Sequence, residues 1–422
     1  MDKGAQSNLQ HNLQSNLPNN PGNHLSSRPE RSAVERSLHS GLCRCMLSSA
    51  NTSSFRSSVS AFTLESVPYA PHPRKPGKAV RQPGKALGEL SLIDRIRARA
   101  SSSPAIRLGI GDDCAILKPP PNHDLLVTTD FSLEGRHFRR DWHTAASAGH
   151  RTLARGLSDL AAMGATPLAA FLSLALPKSA ARNTRWLDGF LDGLLTLAAA
   201  HNVPLAGGDT SESPSDHILA DIVLTGSAPS GRALRRSGAF SGNQARPGDL
   251  LYVTGALGGA AAELAALAAS PRKFRNAQST EDHPHLFPQP RLAVGQTLLR
   301  RRLATACIDL SDGLSTDLAH LCTASNVSAE LDLAQLPLHP LAAALGTPLD
   351  ARAQITALLH GGEDYELLFT AAATTKIPRS IASVPITRIG RILKPQKHKP
   401  RMSLITDGEG FDLQPQGWEH LR

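Results

Sequence analysis

The chain predicts two domains of mixed helix and sheet, α/β or α+β, behind a disordered N-terminal extension. Three observations carry that expectation. Strand-like and helix-like segments alternate from residue 86 to residue 422. The alternation breaks at a loop-like stretch around Ser230–Gly248, with Pro247-Gly248-Asp249 as a turn, so the domains are set at 86–230 and 231–422. Residues 1–85 are rich in Gln, Asn and Ser and then in Ser, Arg and Pro, too polar to offset the entropy of ordering.

In the first domain Leu90, Leu92, Ile93 and Ile96 have helical spacing, and a Ser-rich break follows at Ser101–Ser103. Ile106–Ile110 and Leu125–Thr128 read as strands leading into acidic turns. Ala145–Met163 reads as a helix with Leu153, Leu157, Leu160 and Met163 on one side. Phe171–Leu176 is a strand stopped by Pro177, and Trp186–Ala200 is an amphipathic helix. Val203–Ala206 runs into a Gly-Gly-Asp turn, and Ile218–Thr225 is a further strand.

The second domain begins with strand Leu250–Thr254 and an Ala-rich helix, Gly258–Ala269. A polar Pro/His loop spans 270–290. Helix Arg291–Leu303, strand Ala306–Leu310 and helix Ser315–Ala324 follow. Further strands are expected at Ala329–Leu333, Tyr365–Thr370 and Ile386–Ile392.

The net charge of +9 belongs mostly to the extension. Residues 1–85 carry 11 Lys/Arg against 4 Asp/Glu, or +7, which leaves +2 for the rest. A nucleic-acid role argued from overall charge would rest on the wrong segment. The extension has one Tyr, two Phe and no RNA-binding motif. Its acid-poor character would suit a transit peptide, but the periodicity is weak. The five cysteines, Cys43, Cys45, Cys114, Cys307 and Cys322, form neither a zinc pattern nor a disulfide framework, so reduced thiols in a cytoplasmic protein are expected. No run of 18 apolar residues marks a membrane span.

The chemistry lies in short acidic motifs flanked by small residues: Gly111-Asp112-Asp113, Thr128-Thr129-Asp130, Leu157-Ser158-Asp159, Gly207-Gly208-Asp209-Thr210 and Asp309-Leu310-Ser311-Asp312-Gly313. Bare carboxylates suit a hard cation such as magnesium, which takes oxygen ligands and keeps several waters. Each motif alone is equally an exposed turn or a cap. Asp130 is placed at a strand end, where α/β proteins bind ligands. Asp159 stands among Leu157, Leu160 and Ala161, so it needs a partner, either a cation or an Arg such as Arg155. Two glycines before Asp209 would let backbone approach a phosphate. Asp309 and Asp312 converge only if the strand ends between them. Arg235 and Arg236 are candidate phosphate clamps, and Gly361-Gly362-Glu363-Asp364-Tyr365-Glu366 is a further acidic turn. His137 and Trp418 carry no signal from spacing alone. Walker A, kinase Gly-rich-loop and Rossmann fingerprints are absent, and no Ser-His-Asp triad can be assigned.

In order, these motifs resemble those of the thiamine-monophosphate kinases. The resemblance runs over roughly residues 88–422 and rests on Gly109–Ala115, Thr128–Asp130 with Gly135-Arg136-His137-Phe138, Leu157–Ala165, Gly207–Thr210, Arg236–Ala239, Asp309–Leu314 and Gly361–Leu367. It implies the α+β, two-domain fold of the aminoimidazole-ribonucleotide-synthetase superfamily, and a homodimer joined through strands of the N-terminal domain. It implies ATP-dependent phosphorylation of thiamine phosphate to thiamine diphosphate, with ATP as co-substrate and several Mg2+ ions. Carried over by residue, magnesium would be held by Asp113, Thr128, Thr129, Asp130, Asp159, Asp209, Asp309 and Asp312. ATP would meet Gly208, Asp209, Arg236 and Ser311, and thiamine phosphate would meet His137, Glu363 and Trp418. No general base is expected, because the attacking phosphate oxygen is already ionised. Arg136 beside His137 and the His/Pro-rich 270–290 loop are the departures from the pattern. Selenophosphate synthetase, a sister enzyme, would show a Cys or selenocysteine with a nearby Lys at the start of the fold. Cys43 and Cys45 have no such Lys.

Overall fold

The computed structural model describes residues 88–237, 244–345, 351–399 and 401–418. The expected disordered extension, with Cys43 and Cys45, lies outside them, as do Gly238 and Ala239. Helix α1 (Glu89–Arg97) leads into a two-stranded ribbon, β1 (Ile106–Leu108) and β2 (Ile116–Leu117). Leu92 and Ile96 are the buried residues of α1, four apart on one face.

The first main sheet contains β3 (His123–Leu133), β4 (Thr166–Leu176), β5 (Leu205–Glu212) and β6 (Leu219–Pro229), in the order β3-β6-β4-β5. β6 runs antiparallel to β3 and β4, whereas β4 and β5 are parallel. That parallel pair requires a crossover. Helix α3 (Thr184–Ala200) supplies it, capped by the Asn183 side chain on Trp186 N. Helix α2 (Ala145–Ala162) connects β3 to β4, and Thr144 Oγ1 accepts from Ser147 N at its start.

The second sheet has the order β14-β13-β9-β12-β7-β10-β8. Its strands are β7 (Leu250–Thr254), β8 (Ala306–Asp309), β9 (Ser328–Asp332), β10 (Leu367–Ala371), β12 (Val384–Leu393), β13 (Met402–Thr406) and β14 (Glu409–Asp412). The short β11 (Ser380–Ile381) pairs with β12. Helices α4 (Gly259–Ala269), α5 (Leu292–Arg300), α6 (Leu314–Ser325) and α7 (Arg352–His360) accompany this sheet.

All described residues belong to one compact unit. A single apolar cluster joins Leu153, Leu157 and Leu160 of α2 and Phe190 and Leu194 of α3 to Leu298 of α5 and Phe369 of β10. Helix α2 is therefore packed on both sides. Its polar residues either find partners inside the protein or face a cavity.

Three local expectations change. First, β3 does not end within the Thr-Thr-Asp motif but runs on to Leu133. Every residue from His123 to Leu133 pairs with β6, because Thr128, Thr129 and Phe131 favour extended backbone. Asp130 is thus within a strand, not at its end. Second, Gly207-Gly208-Asp209-Thr210 is not a turn but part of β5, with a register shift opposite Ala170/Phe171. A Cβ on Gly208 would lie 1.9 Å from Leu172 O, and its φ is +149°, so glycine here lets β5 approach β4. Third, Tyr365 and Glu366 precede β10, and Tyr365 has φ +50°.

Candidate active site

Strand alternation divides the Thr-Thr-Asp motif between two faces. Thr128 and Asp130 point inward, towards α2. Thr128 Oγ1 donates to the Asp159 carboxylate. Thr129 points outward, and its hydroxyl donates to Asp221 Oδ1 at 2.7 Å. From α2, the spacing of four residues places Arg151, Arg155 and Asp159 on one stripe, with Ser158 beside it. Ser158 Oγ donates to Asp309 Oδ2 at 2.7 Å, which ties α2 to the end of β8.

β8 ends at Asp309 and α6 begins at Leu314, so the chain turns between Asp309 and Asp312, as their convergence requires. The turn is held from several directions. Asp317, in the first turn of α6, accepts from Asp312 N at 3.0 Å and Gly313 N at 3.1 Å. Glu363 N donates to Ser311 O at 2.8 Å and Tyr365 N to Leu310 O at 2.9 Å. Trp418 N donates to Asp312 O at 3.0 Å. Segments more than a hundred residues apart are thus hydrogen-bonded to one five-residue loop.

Around this loop lies a cavity of about 360 Å³ lined by Asp130, Arg136, His137, Arg155, Asp159, Asp309, Ser311, Asp312, Glu363, Tyr365 and Trp418. An adjoining cavity of about 580 Å³ shares Asp159 and Asp309 and adds Thr128, Arg235, Arg236 and Ser237. The backbone of this Arg pair is fixed by Cys307 N donating to Arg235 O and Ser325 Oγ donating to Arg236 O.

The inner carboxylates are held under electrostatic stress. Burial, with the nearby Asp159, pushes the Asp130 carboxyl up to about 7, against the opposing effect of Arg155. Burial and Asp159 also raise Asp309 to about 7, eased by Ser158. Asp130 Oδ2 is buried with no hydrogen-bond partner. An orphaned carboxylate oxygen among other acids fits a hard cation. Among the described residues no three His, Cys, Asp or Glu side chains form a ready-made metal cage. Magnesium does not need one, since it is commonly held by one or two carboxylates plus water and phosphate oxygens.

The three acids of the Gly361–Glu366 segment divide into different roles. Glu363 has φ +66°, a conformation that costs a non-glycine residue roughly 1–2 kcal/mol. Burial pushes its carboxyl up, but Arg151, His285 and Arg155 outweigh burial and hold it well below the usual range. Arg151 Nη2 donates to Glu363 Oε1 at 2.8 Å, and His285 Nδ1 lies 3.2 Å from Oε2. His143 Nε2 backs His285 Nε2 at 3.1 Å. Asp364 instead accepts from Gly258 N and Ala260 N at the start of α4. Glu366 is buried against Arg291 and Thr254.

Most of the expected ligands therefore share the two joined cavities: Thr128, Asp130, Asp159, Arg236, Asp309, Ser311, Asp312, His137, Glu363 and Trp418. Asp113, Gly208 and Asp209 do not. They line a separate cavity of about 830 Å³ bounded by α1, β4 and β5. Asp209 is in register with Ser173, which pairs with Asp221, so it lies on the outer face of the sheet with Thr129. Arg151, His285, Asp317 and Tyr365 carry much of the inner site beyond the residues expected from the sequence, and Arg155, expected only as a possible partner of Asp159, lines the cavity too. The readable signal was Arg151-x3-Arg155-x3-Asp159, a charged stripe at helical spacing in an otherwise apolar segment.

Residues 111–228 match the model of the AIR synthase related protein N-terminal domain, and residues 246–399 match that of its C-terminal domain. The thiamine-monophosphate kinase of Escherichia coli strain K12 is 40% identical over 345 residues, covering 80% of this chain and 99% of the relative. The chain belongs to the thiamine-monophosphate kinase family. Among solved structures, the thiamine-monophosphate kinase from Stenotrophomonas maltophilia K279a is 37% identical with a TM-score of 0.64, covering 77% of this chain and 99% of that one. AaThiL complexed with AMPPCP and TMP is 29% identical with a TM-score of 0.59, covering 79% and 97%. The protein is thus an enzyme of this kinase family with the α+β fold that the motifs implied.

Proposed function

We propose that the enzyme transfers the γ-phosphoryl group of ATP directly to the phosphate of thiamine phosphate, giving thiamine diphosphate and ADP. The observation that carries this reading is the 309–313 loop, to which the acceptor-side residues Glu363 and Trp418 are hydrogen-bonded and on which Asp309 and Asp312 stand. A relative binds AMPPCP, an ATP analogue that resists cleavage, together with TMP. The reaction brings two anions together, so its barrier is largely electrostatic. Magnesium held by Asp130, Asp159, Asp309 and Asp312 would neutralise charge developing on the transferred group.

The protein's own residues do the rest. Ser311 and Arg236 hold the nucleotide phosphates. Glu363 stays ionised because Arg151 and His285 fix it, which suits a cationic thiazolium ring. His137 and Trp418 shape the acceptor end. No side chain needs to remove a proton, and none needs to carry the phosphoryl group. In-line transfer predicts inversion at a chiral γ-phosphate, whereas a covalent intermediate would give retention.

The same reading includes a homodimer, a domain boundary near residue 230 and a cytoplasmic location. Support for the dimer comes from edge strand β3, which exposes Leu125, Val127 and Phe131 on its outer side, each at least half accessible. A second copy on that face would also cover Thr129 and Asp209. Among the described residues no helix is long and apolar enough to cross a membrane. A coupled ADP-release assay on the full chain tests the function. Turnover should require both thiamine phosphate and magnesium and collapse in Asp130→Asn. ADP release indifferent to thiamine phosphate would contradict the reading.

A further inference from the structure

We propose that Arg155 clamps the phosphate of the acceptor, acting as a cationic contact between the metal-side acids and the thiamine-side residues. The inference rests on the proposed function and adds a residue to it. Arg155 Nη2 lies 3.8 Å from Asp130 Oδ1, while Nη1 lies 3.4 Å from Glu363 Oε1 and 3.2 Å from Tyr365 Oη. The guanidinium thus stands between the acid wall and Glu363, in the cavity where the reacting phosphates must meet.

Its present partners do not saturate it. Nε is buried with no hydrogen-bond acceptor, and the distances to Asp130 and Glu363 are those of loose ion pairs. Glu363 already has Arg151 at 2.8 Å, so Arg155 is not needed to neutralise it. Among the described residues Asp130 is the only other carboxylate paired with Arg155, and a divalent cation there would take that partner away. A guanidinium close to divalent cations is repelled unless an anion stands between them. Phosphate oxygens match the planar donors left over on Nε and Nη2. The acceptor phosphate is favoured over the ATP tail because Glu363 and Tyr365 are on the acceptor side, whereas Arg236 serves the adjoining cavity.

Full-length wild type, Arg155→Gln and Arg155→Lys, each with its melting temperature recorded, decide the matter. Binding of thiamine phosphate and of thiamine, which lacks the phosphate, is measured by calorimetry with Mg·AMPPCP present. KM for Mg·ATP is measured alongside. Wild type should prefer thiamine phosphate at least tenfold. Arg155→Gln should lose most of that preference, with thiamine affinity and KM for Mg·ATP changed less than threefold. Arg155→Lys should keep part of it. Equal weakening of both acceptors would make Arg155 a mere support for Glu363 and overturn the proposal, as would a rise confined to KM for Mg·ATP. Failure of the wild type itself to bind or turn over thiamine phosphate would instead overturn the parent reading. The ratio between variant and wild type isolates Arg155.

Discussion

The two groups of acids in this enzyme differ in their surroundings more than in their sequence motifs. Asp130, Asp159 and Asp309 line one cavity, and burial, with Asp159 nearby, raises the pKa of Asp130 and Asp309 to about 7. Asp113 and Asp209 are exposed to solvent on the outer side of the first sheet. The inner group is costly to ionise and is positioned in advance by Ser158, Asp317 and the hydrogen-bonded 309–313 loop. The outer group stands in contact with solvent instead. Preorganisation and electrostatic stress therefore coincide in the inner site, as expected where charge must be matched to a ligand.

The largest test of this contrast is substitution within each group. Asp309→Asn should lower kcat/KM about 1000-fold or more, on the order of 4 kcal/mol of transition-state stabilisation. It should also raise the melting temperature of the magnesium-free protein, because a repelling buried charge is removed. Asp209→Asn should lower activity by about 100-fold, roughly 2.7 kcal/mol, and leave the magnesium-free melting temperature unchanged. Equal thermal shifts in the two variants would erase the distinction. Differential scanning calorimetry and steady-state kinetics on the same preparations provide the comparison.

The pH dependence sharpens it. Asp130 and Asp309 bind protons up to about pH 7 when folded, but only up to about 3.8 in an unfolded chain. Between those values the native state holds more protons than the unfolded one, so these groups lower stability as pH rises from about 4 to 7. The melting-temperature difference between Asp309→Asn and wild type, without magnesium, should therefore be larger at pH 7.5 than at pH 5. Magnesium must displace those protons, so its apparent affinity should strengthen from pH 6 to pH 8. A pH-independent magnesium constant would count against the buried, protonated carboxylates.

Phe131→Glu tests the other side of the sheet. It should shift the protein from dimer to monomer in sedimentation velocity, with inner-site metal binding altered less than threefold. The smallest effect belongs outside both groups. Thr144→Ala removes the α2 cap and should cost about 1 kcal/mol in denaturant unfolding, with kcat unchanged.

These differences also show what could be read from the chain. The motif residues were legible because small residues beside acids stand out against apolar strands and helices. Their division into two groups was not, because it depends on strand length. With β3 ending at Thr128, Thr129 and Asp130 would be free to turn towards one site. With β3 continuing to Leu133, they must point to opposite faces. Gly207-Gly208 looked like a turn because glycine serves turns and close strand approach equally well. Arg151 was hidden for another reason, and Arg155 was legible only as a possible partner of Asp159. An Arg in a helix is ordinarily solvated, and only the packing of α2 on both sides turns it inward.

The most direct measurement is 31P NMR of the full-length enzyme with ATP, magnesium and thiamine phosphate, run beside Asp130→Asn. The account predicts that thiamine diphosphate and ADP appear in equal amounts without inorganic phosphate, and that neither appears with the variant or without magnesium. Inorganic phosphate in place of thiamine diphosphate, or undiminished product from Asp130→Asn, would contradict it.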